Sequence, residues 1–179
     1  LHTKNFKEAR KIMEKLIIKD KENNSEIFSD IALAYKKEGN KELAEVYFKK
    51  AINKNENYSP ALVNLGILDL DKGNPKNAIQ FLKKATSLDP TLDLAWEKLA
   101  ICYQNLDLLE EALSTCKEGL NYHPNNSTIH LNLIKLLGSQ KKLDEAEIES
   151  KKLIDLNPKL INTYIMLSAI LAEKNSFEK

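Results

Sequence analysis

The sequence predicts an all-α protein built as a solenoid of stacked, antiparallel helix pairs. Three observations carry that prediction. Small and apolar residues recur every 34 positions, as in Ala44, Ala78, Ala112 and Ala146, and in Ile31, Leu65, Leu99, Leu133 and Leu167. Each period holds two stretches of apolar residues at helical spacing, separated by turn chemistry. A proline closes several of the periods, at Pro90, Pro124 and Pro158. One helix pair cannot bury its own apolar faces, and a repeat of this length supplies the neighbour that does.

Residues 1–24 read as the second helix of a truncated unit. Asn5-Phe6-Lys7-Glu8-Ala9 stands at its turn and small-residue slot, and Ile12, Met13, Leu16 and Ile17 continue an apolar face. Ala9 lies 35 residues before Ala44, so the loop Asp20–Asn24 is expected to hold one extra residue. Full units follow at 25–58, 59–92, 93–126 and 127–160. The clearest is the second. Ser59 is expected as an N-cap with Pro60 at the first helical position, where its missing N–H costs nothing. Leu62, Leu65 and Leu68 share a face, and Gly66 leaves room for another helix. Gly73-Asn74-Pro75 ends that helix and starts the next, which carries Ala78, Ile79, Leu82 and Ala85 and stops at Asp89-Pro90. Gly39 and Gly73 suit a left-handed turn. Asp107 and Lys141 occupy the same slot, which Asp tolerates and Lys tolerates less well. Residues 161–179 read as a further, truncated unit, with a first helix over 161–174 and a turn at Asn175-Ser176-Phe177. Both ends break inside a unit, so the chain is expected to belong to a longer array or a larger protein.

These residues resemble the tetratricopeptide repeat, a 34-residue helix–turn–helix unit. The first full unit supplies Phe28, Ile31, Ala32, Tyr35, Gly39, Ala44, Phe48 and Ala51. The third supplies Trp96, Leu99, Ala100, Tyr103, Ala112 and Pro124. Departures include His130 for the first-helix aromatic, Asp69 and Leu137 for Tyr, and Ser150 and Leu153 for the second-helix aromatic and Ala. The resemblance implies a right-handed superhelix whose first helices line a concave groove. Residues one turn off the packing slots would face that groove: Leu33, Val63, Ile67, Leu70, Leu94, Ile101, Leu131 and Ile165. It implies a protein–protein interaction scaffold that binds a peptide or helix of a partner there. The carboxylate clamp used by some members does not match. Of the corresponding positions, Ser29, Leu33, Asn64, Leu94 and Lys98, only Asn64 and Lys98 agree.

Composition narrows the alternatives. Hydrophobic content of 42% with 30% charged residues suits a packed helical array in water. A net charge of +1, with Arg10 the single arginine among 27 basic residues, argues against nucleic acid as a partner, because bidentate phosphate and guanine contacts favour Arg. The 34-residue period also opposes the RNA-binding helical repeats. No 18-residue apolar run predicts a membrane span, and no signal peptide is apparent, which favours the cytoplasm.

Residues suited to catalysis are scattered. His2, His123 and His130 lack second ligands at metal spacing, and Cys102 and Cys116 read as buried small hydrophobes. No phosphate loop and no nucleophile with an evident base is present, so no catalytic residue, metal or cofactor is expected in this chain. The alternative is that the array serves as the recognition arm of a larger enzyme, such as a glycosyltransferase or a kinase. Self-association through the exposed terminal helices is a further expectation.

Overall fold

The computed structural model describes residues 7, 8, 10–15 and 25–177. Residues 7, 8 and 10–15 are helical. Leu16 and Ile17 and the loop Asp20–Asn24 lie outside the described residues, as does Ala9. Nine helices follow among the described residues: α1 (Ser25–Lys37), α2 (Lys41–Lys54), α3 (Ser59–Asp71), α4 (Pro75–Leu88), α5 (Asp93–Asn105), α6 (Leu109–Tyr122), α7 (Ser127–Ser139), α8 (Leu143–Leu156) and α9 (Ile161–Phe177). There is no strand among the described residues, and the fold is an all-α helical repeat. First helices begin 34 residues apart, at Ser25, Ser59, Asp93, Ser127 and Ile161.

The chain divides into two compact units, Leu1–Asp89 and Pro90–Lys179. In the first, α1 packs on α2, α2 on α3 and α3 on α4. Its core joins Phe28, Ala32, Ala44, Phe48, Ala51, Ala61, Leu65 and Leu68. Arg10 ties the preceding helical residues to α1. Its guanidinium donates to Glu14, Glu38 and the Tyr35 hydroxyl, and lies 4.2 Å from the centroid of the Tyr35 ring. Burial and the hydrogen bond to Glu14 push the Tyr35 hydroxyl up to about 12. In the second unit each of α5 to α9 packs on the next, and the first helices also touch, α5 on α7 and α7 on α9. Trp96, Cys116, Ile129, Leu133, Ile134, Leu137, Leu153 and Ile170 form much of that core. A fully buried Leu or Ile at such a position contributes about 1.5–3 kcal/mol.

Small residues set how closely the helices approach. Ala44 and Ala78 in the first unit, and Ala112 and Ala146 in the second, are wholly buried. A Cβ on Gly66 would lie 2.6 Å from Leu82 Cγ and 3.3 Å from the Ala78 carbonyl oxygen, so only hydrogen fits between α3 and α4. The turns between paired helices share one backbone conformation whatever residue they hold. Gly39 and Gly73 have φ of 84° and 77°, and Asp107 and Lys141 both have φ of 58°.

Two expectations about helix ends need correction. Ser59 is the first residue of α3 rather than its cap. Tyr58 stands at the cap position, Ser59 is buried, and Pro60 still falls in the first turn, where its missing N–H is harmless. The turn expected at Asn175-Ser176-Phe177 is helical instead, as α9 runs to Phe177. Ala172, Glu173 and Lys174 favour helix, the Ser176 hydroxyl donates back to the Glu173 carbonyl, and among the described residues no second helix follows to draw the chain round.

Candidate functional site

In the first unit the candidate surface lies on α1 and α3. Leu33, Ile67 and Leu70 are half-buried, each leaving part of an apolar side chain in water. Val63 is different. It is only 5% exposed, so the sequence expectation of an exposed side chain fails there. Its counterpart one repeat earlier, Ser29, is also buried. A polar bridge spans the two first helices: Lys36 Nζ donates to Asn64 Oδ1 at 3.2 Å, while Asn64 Nδ2 donates to the Pro60 carbonyl at 2.9 Å. The Asn64 amide, one of two residues matching the carboxylate clamp, is thus engaged on both of its polar atoms.

In the second unit the surface lies on α5, α7 and α9. Leu94 is 42% and Ile165 61% exposed, while Ile101 and Leu131 are half-buried and Leu131 packs at the edge of the core. Asn126 organises the polar side of this surface. Its Oδ1 accepts from the Ile129 N–H at 3.0 Å, capping α7, and its Nδ2 donates to Asp93 at 3.1 Å and Glu97 at 3.0 Å on α5. The cap residue therefore fixes α7 against its neighbouring first helix. Neither this bridge nor the Lys36–Asn64 bridge was legible as a motif, although the cap position itself was a signal. At α9 a second apolar face is open, with Ile161, Tyr164 and Leu171 exposed beside Ile165.

Cys102, Cys116 and His130 are buried in the helix packing. Burial pushes the Cys102 thiol up to about 11 and Cys116 up to about 12, so neither is a ready nucleophile. His130 is fully buried, and both ring nitrogens face acceptors: Nε2 the Pro124 carbonyl at 2.8 Å, Nδ1 the Glu149 carboxylate. Burial pushes the Glu149 carboxyl up, but the hydrogen bond and charge of His130, with Lys152 and Lys117 nearby, hold it below its ordinary value. Among the described residues no group of three or more His, Cys, Asp or Glu side chains is placed to hold a metal ion, and no helix is long and apolar enough to cross a membrane.

Family sequence models of the tetratricopeptide repeat match residues 25–58 and 69–122. The chain belongs to the tetratricopeptide repeat family. Among curated relatives with such repeats, it is 25% identical over 133 residues to the TPR repeat-containing protein YpiA of Bacillus subtilis. That match covers 74% of this chain and 31% of YpiA. The protein O-mannosyl-transferase Tmtc3 of Drosophila melanogaster is 28% identical over 143 residues, 78% of this chain and 15% of that protein. The chain therefore spans well under half the length of these relatives. Among solved tetratricopeptide structures, MamA superposes with a TM-score of 0.77 at 24% identity, covering 84% of this chain and 82% of MamA. YrrB, described as a TPR protein with an unusual peptide-binding site, superposes with a TM-score of 0.73 at 19% identity, covering 90% and 82% of the two chains. At these identities the structural likeness speaks to the fold.

Proposed function

We propose that this chain is a protein-interaction scaffold that takes a peptide or helix of a partner protein on the exposed face of its first helices. The observation that carries the reading is in the second unit. There α5, α7 and α9 pack side by side, and Leu94, Ile101, Leu131 and Ile165 keep apolar surface in water on those helices. Leu33, Ile67 and Leu70 offer the same chemistry on α1 and α3. Leaving such side chains in water forgoes stability, and contiguous exposed apolar surface marks interaction sites. An amphipathic helix or extended peptide would bury them. In this reading the chain comprises four full repeats, 25–58, 59–92, 93–126 and 127–160, flanked by half-repeats, and the partner is protein rather than nucleic acid or membrane. The peptide-binding site of YrrB supports the class of ligand.

The test is capture of partners from a lysate by the intact chain and by a variant whose exposed apolar residues carry charge. Proteins retained by the first and lost from the folded second support the reading. Equal capture by both places binding elsewhere. A second reading, the recognition arm of a larger enzyme, is supported by the likeness to Tmtc3, in which the matched stretch is 15% of the length. Self-association through the open face of α9 is a further proposal, resting on Ile161, Tyr164, Ile165 and Leu171.

A further inference from the structure

The second helices of the two units carry opposite charge. In the first unit, α2 holds four Lys against two Glu, and α4 holds Lys76, Lys83 and Lys84 with no acid at all. All seven lysines are exposed. In the second unit, α6 holds Glu110, Glu111 and Glu118 against Lys117, and α8 holds five acids against Lys151 and Lys152. The surpluses are five positive charges on α2 and α4 and five negative on α6 and α8. They vanish in the net charge of +1, which is why the composition hides them.

Ion pairs within the chain consume only part of each patch. Among the described residues Lys54, Lys76, Lys83 and Lys84 lie in no ion pair, and neither do Glu111 and Asp155. Acids that are paired stay in water: the Glu110 side chain is 74% and Asp144 83% exposed. The lysine doublets Lys49-Lys50 and Lys83-Lys84 are also 34 residues apart, so the repeat brings them to the same register on α2 and α4. A near-neutral chain has little overall self-repulsion to keep local patches of opposite sign apart.

We propose that the α2–α4 face of one copy of this chain docks on the α6–α8 face of a second copy. The occupant follows from charge complementarity, since the same sequence carries both signs on the helices of different units. The contact is heterologous, joining two different patches. Exposed ion pairs are weak and screened by salt, so the association is low in affinity and governed by ionic strength. It is distinct from any contact through α9, which is apolar and withstands salt.

The experiment measures the mass of the full chain by light scattering or sedimentation across a concentration series. Between about 0.01 M and about 0.1 M salt the screening length falls from ~30 Å to ~10 Å, and association should weaken by about tenfold. The variant Lys83→Glu/Lys84→Glu alone, and the variant Glu111→Lys/Asp155→Lys alone, should lose the salt-sensitive association at low salt with unchanged helical content, since all four positions are exposed. Mixing the two variants should restore association, because the intact basic patch of one meets the intact acidic patch of the other. A wild-type chain that stays monomeric at low salt overturns the proposal. So does association indifferent to salt or to either variant, and so does a mixture that fails to associate.

Discussion

Trp96 on α5 lies against Gly119 on α6, so close that a Cβ on residue 119 would stand 2.9 Å from the Trp96 Cβ and 3.2 Å from Ile129 Cδ1. The same two slots hold Phe28 with Ala51 and Leu62 with Ala85. The largest first-helix side chain is met by the smallest second-helix residue. Gly119→Ala should therefore destabilise by about 1–3 kcal/mol, despite the better helix propensity of Ala. Trp96→Leu in the same chain should recover part of that loss by recreating the Leu62–Ala85 pair. Denaturant unfolding of both single variants and the double variant measures the coupling, and additive effects would refute the size compensation.

Ala112 is wholly buried where α6 meets its partners. Ala112→Leu should cost about 1–3 kcal/mol by overpacking. A change of only a few tenths would mean that the alanine column does not set the helix spacing.

Lys141 holds a left-handed conformation that Gly adopts freely. The strain costs roughly 1–2 kcal/mol, and glycine returns about 0.4–1 kcal/mol of it through the greater freedom of the unfolded chain. Lys141→Gly should stabilise the second unit by about 0.5 kcal/mol, even though it removes the exposed ion pair to Glu173. A lower denaturation midpoint in the glycine variant would contradict this.

Because the Glu149 carboxyl is held below its ordinary value in the folded protein, its stabilising contribution is complete above the ordinary carboxylate range. It is lost as pH falls through the lowered folded value. Unfolding free energy should therefore decline below about pH 4.5, the ordinary value for the group. In Glu149→Gln the deficit should appear already at neutral pH, and the acid decline should be shallower. Parallel pH titrations of the denaturation midpoint in the two proteins separate Glu149 from the remaining carboxylates.

For the proposed binding surface, Leu94→Lys with Ile165→Lys should leave helical content and melting nearly unchanged. Exposed sites of this kind cost within about 0.5 kcal/mol each. Capture of the partner should be abolished, since a lysine buried there without a counter-charge costs several kcal/mol. An unfolded double variant would make these residues core.

The 34-residue period was open to reading because each unit must bury the same faces, so the alanine column and the turn glycines repeat visibly. Other features depend on how close two helices come, which the period does not encode. Val63 and Ser29 share a slot that is buried, while Ile165 in the corresponding slot is 61% exposed. Slot position alone could not separate them. His130 was readable as a packing residue, but its partner Glu149 sits 19 residues on, at no spacing that marks a pair. The extension of α9 escaped because Asn175 resembles a turn residue, whereas the left-handed turns elsewhere stand between two packed helices.

Among the described residues, a helix of either unit packs on helices one or two places away in the chain. No contact inside a unit waits for a distant segment to arrive, so little loop-closure entropy has to be overcome before packing begins. On the ribosome, the first unit has its full set of internal partners once Asp89 has emerged and can close while residues 90 onward are still being made. Contacts this local allow folding to keep step with synthesis, one helix pair at a time.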